Sequence, residues 1–191
     1  MQSIEVSEPF ELLGMDIVGK LPTSAKGYKF ILVMTDHLSK WAYAVPLAEI
    51  TSIDVATAIM EKVVLEGGHG PPQRILTDQA SNFNSALAHE FYKMLGIAKS
   101  STSAYHPQCD GHTEKFNDTL CHMIAKLMEE HPLDWAELLP YCVYSYNIAR
   151  HASTGFFSYY IQYGQETRLP LERAIGSISK TTAVKLSTYV Q

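Results

Sequence analysis

The sequence predicts an α/β protein with a mixed five-stranded sheet flanked by helices. Short apolar runs lacking helical length crowd the first third, apolar residues at helical spacing dominate later, and the order of the two kinds is informative. It runs three strands, helix, strand, helix, short strand, then two helices.

Leu12-Leu13-Gly14-Met15-Asp16-Ile17-Val18 is the first run, a buried strand that carries Asp16. Lys29 to Thr35 and Trp41 to Val45 are rich in aromatic and β-branched residues, and the short polar connector Asp36-His37-Leu38-Ser39-Lys40 makes them a hairpin. Thr51 with Asp54 three residues on opens a helix, Val55, Ile59, Val63 and Val64 form its apolar face, and Gly67-Gly68 closes it. After the Pro71-Pro72 turn, Arg74-Ile75-Leu76-Thr77 is a short strand that leaves Asp78 at its carboxyl end, where open α/β sheets place their chemistry. A helix from Ser85 to Leu95 ends at Gly96, and Ile97 to Ser101 forms the last strand. Residues 102 to 111 read as a loop. Phe116, Leu120, Ile124 and Leu127 then form a helical stripe facing the sheet, with Glu114 about 200° around from Phe116 and therefore free to face elsewhere. Leu133 to Arg150, containing Trp135, Leu138, Leu139, Val143 and Tyr144, is the last long helix. Ser, Thr and Lys increase after Pro170, so residues 1–170 are expected to form one domain and 171–191 a linker or tail.

Composition bounds the function. With 46% apolar residues in 191, the chain can bury one sizeable core. It contains no apolar run of membrane-spanning length and no basic-then-apolar leader, so it reads as soluble and intracellular. Cys109, Cys121 and Cys142 are odd in number and match neither a disulfide framework nor a zinc pattern with His106, His112, His122 or His131. A formal charge of -5 without a Lys/Arg cluster argues against tight binding to nucleic acid by charge alone. Carboxylates gathered around divalent cations would also make a core acidic, because the ions supply the positive field.

Asp78 and Glu114 stand with 35 residues between them, and with Asp16 they make a candidate three-carboxylate metal site. The spacing alone is weak, since 20 acidic residues in 191 supply roughly one or two such pairs by chance. Each acid also has a structural reading: a strand-end hydrogen-bond acceptor for Asp16, a turn cap for Asp78, a first-turn helix acid for Glu114. The flanking residues decide between these readings. In one order come Pro9-Phe10, Met15-Asp16-Ile17-Val18-Gly19, Asp36-His37-Leu38-Ser39-Lys40, Thr77-Asp78, Ser81-Asn82-Phe83 and Tyr105-His106-Pro107-Gln108. They continue as Asp110-Gly111, Thr113-Glu114, Asp134-Trp135, Tyr146-Asn147, Ser153-Thr154-Gly155, Tyr163-Gly164 and Arg168-Leu169-Pro170. The chain therefore resembles, over nearly its whole length, the catalytic core of the integrases of gypsy-type LTR retrotransposons, which are similar to retroviral integrases.

That resemblance implies a ribonuclease-H-like fold and a D,D(35)E polynucleotidyl transferase in which Asp16, Asp78 and Glu114 hold two Mg²⁺ or Mn²⁺ ions. Hard cations prefer oxygen ligands, and a pair about 3.5 to 4 Å apart activates an attacking hydroxyl while stabilising the departing 3′ oxygen. It also implies DNA partners, both element ends and target, a homodimer or higher multimer, and action in the nucleus after a cytoplasmic particle stage. His106, Lys115 and Asn117 are candidate DNA contacts, while Asp110 reads as a turn residue and Trp41 and Trp135 as core or interface anchors. The chain departs from commoner family wording at Gln79-Ala80, His112, Lys115 and Ser158, none of them a candidate ligand. The zinc and DNA-binding domains that flank this core in full integrases are not among these residues, so a piece of a longer polyprotein is expected. Two competing functions remain: a domesticated, inactive core serving as an interaction or dimerisation module, and a ribonuclease H, which suits the fold but not the Tyr105 to Asn117 phrase.

Overall fold

A computed structural model describes residues 6–78, 80–101, 111–130 and 134–167, with the backbone alone for 81, 101, 111, 112, 114 and 130. The expected sheet is present. Strands β1 (Leu12–Gly19), β2 (Phe30–Asp36), β3 (Ala42–Leu47), β4 (Arg74–Thr77) and β5 (Ala98–Ser101) lie in the order β3-β2-β1-β4-β5. β1 to β3 form an antiparallel meander, and β4 and β5 add to β1 in parallel, so β1 is the seam where the sense of pairing changes. β3 is an edge strand, which tolerates Pro46 and its missing N–H.

Alternation along β1 divides the molecule into layers. Leu13 and Met15 face one side and pack with Val55, Ala58, Ile59, Val63, Phe83, Ala88 and Tyr92 from the helices α1 (Ser52–Ala58), α2 (Ser81–Asn84) and α3 (Ala86–Met94) and the π-helical turns that follow α1. Val18 faces the other side, where Phe116, Leu120 and Ile124 of α4 (Gly111–Glu130) meet Trp135, Leu139 and Cys142 of α5 (Trp135–Asn147) over Ile31 and Val33. The stripe read at helical spacing is thus the buried seam of α4. Truncating Phe116, fully buried between α4 and the sheet, would cost about 3–5 kcal/mol.

Thr51 and Asp54 form the capping box that opens α1. The helix then continues as a π-helix over Ile59–Glu66, which the periodicity did not reveal. Gly67 ends it with an amide bonded to the Lys62 carbonyl at 3.0 Å, and a Cβ there would lie 2.7 Å from the Val63 carbonyl oxygen as well as against the Tyr43 hydroxyl, an approach that favours glycine. Two further expectations need correction. The segment 81–84 is a short helix, α2, ahead of the Ser85 cap, and the last long helix among the described residues, α5, spans Trp135–Asn147 behind an Asp134 cap, shorter than the expected Leu133 to Arg150 and followed by a short helix, α6 (Ser158–Tyr163). Six-residue α6 is too short for a period to register, and its stop is Gly164 at φ 67. Ser158, one of the departures from the family wording, is its first residue, a position whose N–H needs no helical partner. The expected tail from 171 lies outside the described residues. Among the described residues no helix is long and apolar enough to cross a membrane.

Candidate active site

Asp16 faces α4, opposite to Met15. Met15 is paired with Thr77 of β4, so the next residues on the two parallel strands, Asp16 and Asp78, emerge side by side. Thr77 is fully buried, whereas Asp78 is exposed at the strand's carboxyl end, as expected from the sequence. Asp16 is half-buried; its Oδ1 accepts from the Ile17 amide at 2.7 Å and its Oδ2 from the Asn117 side-chain amide at 2.6 Å. Burial pushes the Asp16 carboxyl above the usual carboxylate range. The Ile17 amide opposes this, the charge of Asp78 adds to it, and the Asn117 hydrogen bond opposes it. Asp78 closes its own turn, its Oδ1 accepting from the Ala80 amide at 2.9 Å. Neither acid belongs to an ion pair among the described residues, where Lys62–Glu66 and Arg74–Glu11 are the pairs formed.

The third acid is carried by the first turn of α4, where the backbone of Glu114 is described and its side chain is not. That turn is fixed on both sides of Glu114. Thr113, fully buried, hydrogen-bonds Thr35 of β2 at 3.0 Å, and Asn117 reaches Asp16 one turn later. The described side chains thus bring together two of the three candidate ligands, and among the described residues no group of three or more His, Cys, Asp or Glu forms a metal cluster.

The other sequence-derived candidates are placed unevenly. Asn117 donates its side-chain amide to Asp16, and its Oδ1 is buried with no hydrogen-bond partner among the described residues. Lys115 is exposed on α4, and its charge helps hold the His151 imidazole below its usual pKa, after burial and Lys40. His106 and Asp110 lie outside the described residues. Trp135 is an anchor, buried and donating to the Pro22 carbonyl at 2.7 Å.

Two quoted phrases prove to be scaffolding. Asn147 binds both the amide and the carbonyl of Ala42 at 2.9 Å each, clamping α5 to edge strand β3. Asp36 is fully buried and closes the β2–β3 hairpin, which is completed by Lys40 at φ 63 with its ammonium on the His37 carbonyl at 2.6 Å.

The description "Integrase core domain" matches residues 6–107, more than half of the chain. The chain belongs to the integrase core domain family. Relatives of this core include Gypsy retrotransposon integrase-like protein 1 of Homo sapiens, 26% identical over 167 residues, covering 87% of this chain and 31% of that protein. The Transposon Tf2-3 polyprotein of Schizosaccharomyces pombe is 32% identical over 156 residues, covering 81% of this chain and 12% of the polyprotein. This integrase core thus spans less than a third of the length of those curated relatives. The catalytic core domain of HTLV-2 integrase, solved in complex with magnesium in a trimeric form, superposes with a TM-score of 0.68 at 19% identity over 85% of this chain and 100% of that one. The fold is therefore ribonuclease-H-like, that of retroviral integrase catalytic cores.

Proposed function

We propose that this chain is the core of a metal-dependent DNA strand transferase that trims the 3′ ends of element DNA and joins them to target DNA. Asp16, Asp78 and Glu114 are its ligands for two Mg²⁺ or Mn²⁺ ions. The observation that carries this reading is the emergence of Asp16 beside Asp78 on neighbouring parallel strands, under the helix turn that bears Glu114.

The residues fit hard divalent cations. Every donor is an oxygen. The Asp16 carboxyl, raised by burial and by the charge of Asp78, would be relieved by a cation, and the unpartnered Oδ1 of Asn117 is an acceptor suited to an ion-bound water. When bound, such ions supply the charge stabilisation that in-line phosphoryl transfer needs at the attacking and departing oxygens. The chain's own groups orient the ligands: the Ile17 amide and Asn117 hold Asp16, the Ala80 amide holds Asp78, and Thr113 seats the turn carrying Glu114. Second-shell donors of this kind fix ligand geometry before a metal arrives.

The same reading makes element ends and target DNA the partners, with His106 and Lys115 touching DNA from either side of Glu114. It makes residues 1–170 the catalytic unit, a homodimer or higher multimer the working form, and the nucleus the place of action. A labelled-oligonucleotide disintegration assay with Mn²⁺ tests it. Activity lost in both Asp78→Asn and Glu114→Gln supports the transferase, and an inactive, well-folded, dimeric wild type supports the interaction module instead. Cleavage of an RNA/DNA hybrid in place of strand transfer would favour a ribonuclease H.

A further inference from the structure

The turn that carries Asp78 has little stability of its own. The helix that follows it, α2, has four residues, and its cap residue Ala80 offers no side-chain hydrogen bond; the local bonds, the Thr77 hydroxyl on the Asp78 carbonyl at 2.8 Å and the Phe83 amide on the Ala80 carbonyl at 3.2 Å, hold backbone and leave the Asp78 carboxylate untouched. A chain of side-chain contacts supplies what the local sequence does not. Ala80 donates its amide to Asp78 Oδ1 at 2.9 Å, and the carbonyl of the same residue accepts from Asn84 Nδ2 at 2.8 Å. The opposite end of that amide, Asn84 Oδ1, accepts from the ammonium of Lys99, which also donates to the Phe83 carbonyl at 2.5 Å. Lys99 stands on β5, opposite Ile75 of β4, the strand that delivers Asp78.

The order of donors and acceptors leaves no slack. An ammonium only donates, so Asn84 must turn its oxygen to Lys99 and its N–H₂ to Ala80. A flipped amide would face donor to donor at one end and acceptor to acceptor at the other. Residue 80 is thereby gripped at its carbonyl by the relay and at its amide by Asp78.

We propose that Lys99 and Asn84 are positioning residues for Asp78, fixing the direction of its carboxylate through residue 80. This rests on the reading of Asp78 as a metal ligand. A ligand set works only when held to within about half an ångström, and Asp78, exposed at the end of a four-residue strand, has few other constraints. The tether and the charge of Lys99 act in opposite senses. As a nearby positive charge, Lys99 repels a cation, so if only its field mattered, removing it would tighten metal binding. As a tether, removing it loosens the ligand and weakens binding.

Mn²⁺ titration of the full 191-residue chain, with free Mn²⁺ followed by electron paramagnetic resonance, reads this sign directly. Lys99→Met and Asn84→Ala are each expected to weaken Mn²⁺ affinity about tenfold or more, the scale of lost outer-shell support. The double variant should be no weaker than the worse single one, since both break one relay. In the disintegration assay the variants should need more Mn²⁺ for half-maximal activity while approaching the wild-type rate at saturation. Affinity unchanged or tightened in Lys99→Met overturns the proposal; if that variant does not melt cooperatively, unchanged affinity in Asn84→Ala overturns it alone. Wild type that binds no Mn²⁺ removes the metal site and the relay together, whereas wild type that binds beside two equally tight variants removes only the relay.

Discussion

Asp36 and Asp16 sit on adjacent strands of one sheet, β2 and β1, and the fold treats their carboxylates in opposite ways. Asp36 is fully buried and accepts from the Phe10 amide at 2.9 Å, the Ser39 amide at 2.7 Å and the Ser39 hydroxyl at 2.6 Å. Asp16 is half-buried, accepts from two donors, and lies beside the like charge of Asp78, so its carboxyl is raised. A structural acid is completed by donors from its own chain. A site acid is held in direction while its charge is left uncompensated, which is the condition a cation answers.

The largest expected break in this contrast is catalytic. Asp78→Asn or Glu114→Gln should lower disintegration activity by roughly a thousandfold or more, because lost ion binding removes several kcal/mol of transition-state stabilisation. Asp36→Ala should leave three buried donors unsatisfied and lower stability by about 3 kcal/mol, seen as a lower urea midpoint, and it should do so equally with and without Mn²⁺. A drop in stability as small as that of a surface substitution would erase the distinction drawn above.

Mn²⁺ or Mg²⁺ should raise the melting temperature of wild type, by about 2.7 kcal/mol of stability at a hundred times the dissociation constant, and Asp78→Asn should abolish the rise. Equal shifts in both proteins would place binding elsewhere. The smallest effect concerns pH. A carboxyl whose folded pKa is raised binds protons more tightly in the folded state, so its contribution to metal-free stability falls as pH rises from the ordinary aspartate value, 3.8, through the raised folded one. Asp16→Asn should therefore flatten that slope and raise the metal-free melting temperature at neutral pH by a few degrees, a change thermal scans across pH 4 to 8 can detect. A lowered melting temperature at neutral pH would mean that Asp16 behaves like Asp36.

Much of this was legible in the chain. β1 to β4 were readable because each is a mostly apolar run bounded by turn residues, β5 (AKSS) because it follows the Gly96 helix stop and Ile97, and α4 because Phe116, Leu120 and Ile124 recur at the helical period. The Thr51 and Asp54 cap and the Gly96 stop carried their own chemistry. Short α2 and α6 were missed because four and six residues are too few to show a period. The π-helical turns after α1 were missed because Val55, Ile59 and Val63 fit an ordinary α-helix equally well.

The sequence by itself determined the strands and long helices, and the three acids as candidates, because periodicity and turn chemistry act over a few residues and leave local marks. Only the tertiary structure decided that Asn117 serves Asp16, that Asn147 clamps β3, that Asp36 is a hairpin fastener, and that Lys99 reaches Asn84. Apart from the hairpin, these pairings join residues distant in the chain. A hydrogen bond depends on where two atoms meet in space, and nothing in either partner's neighbourhood encodes the other.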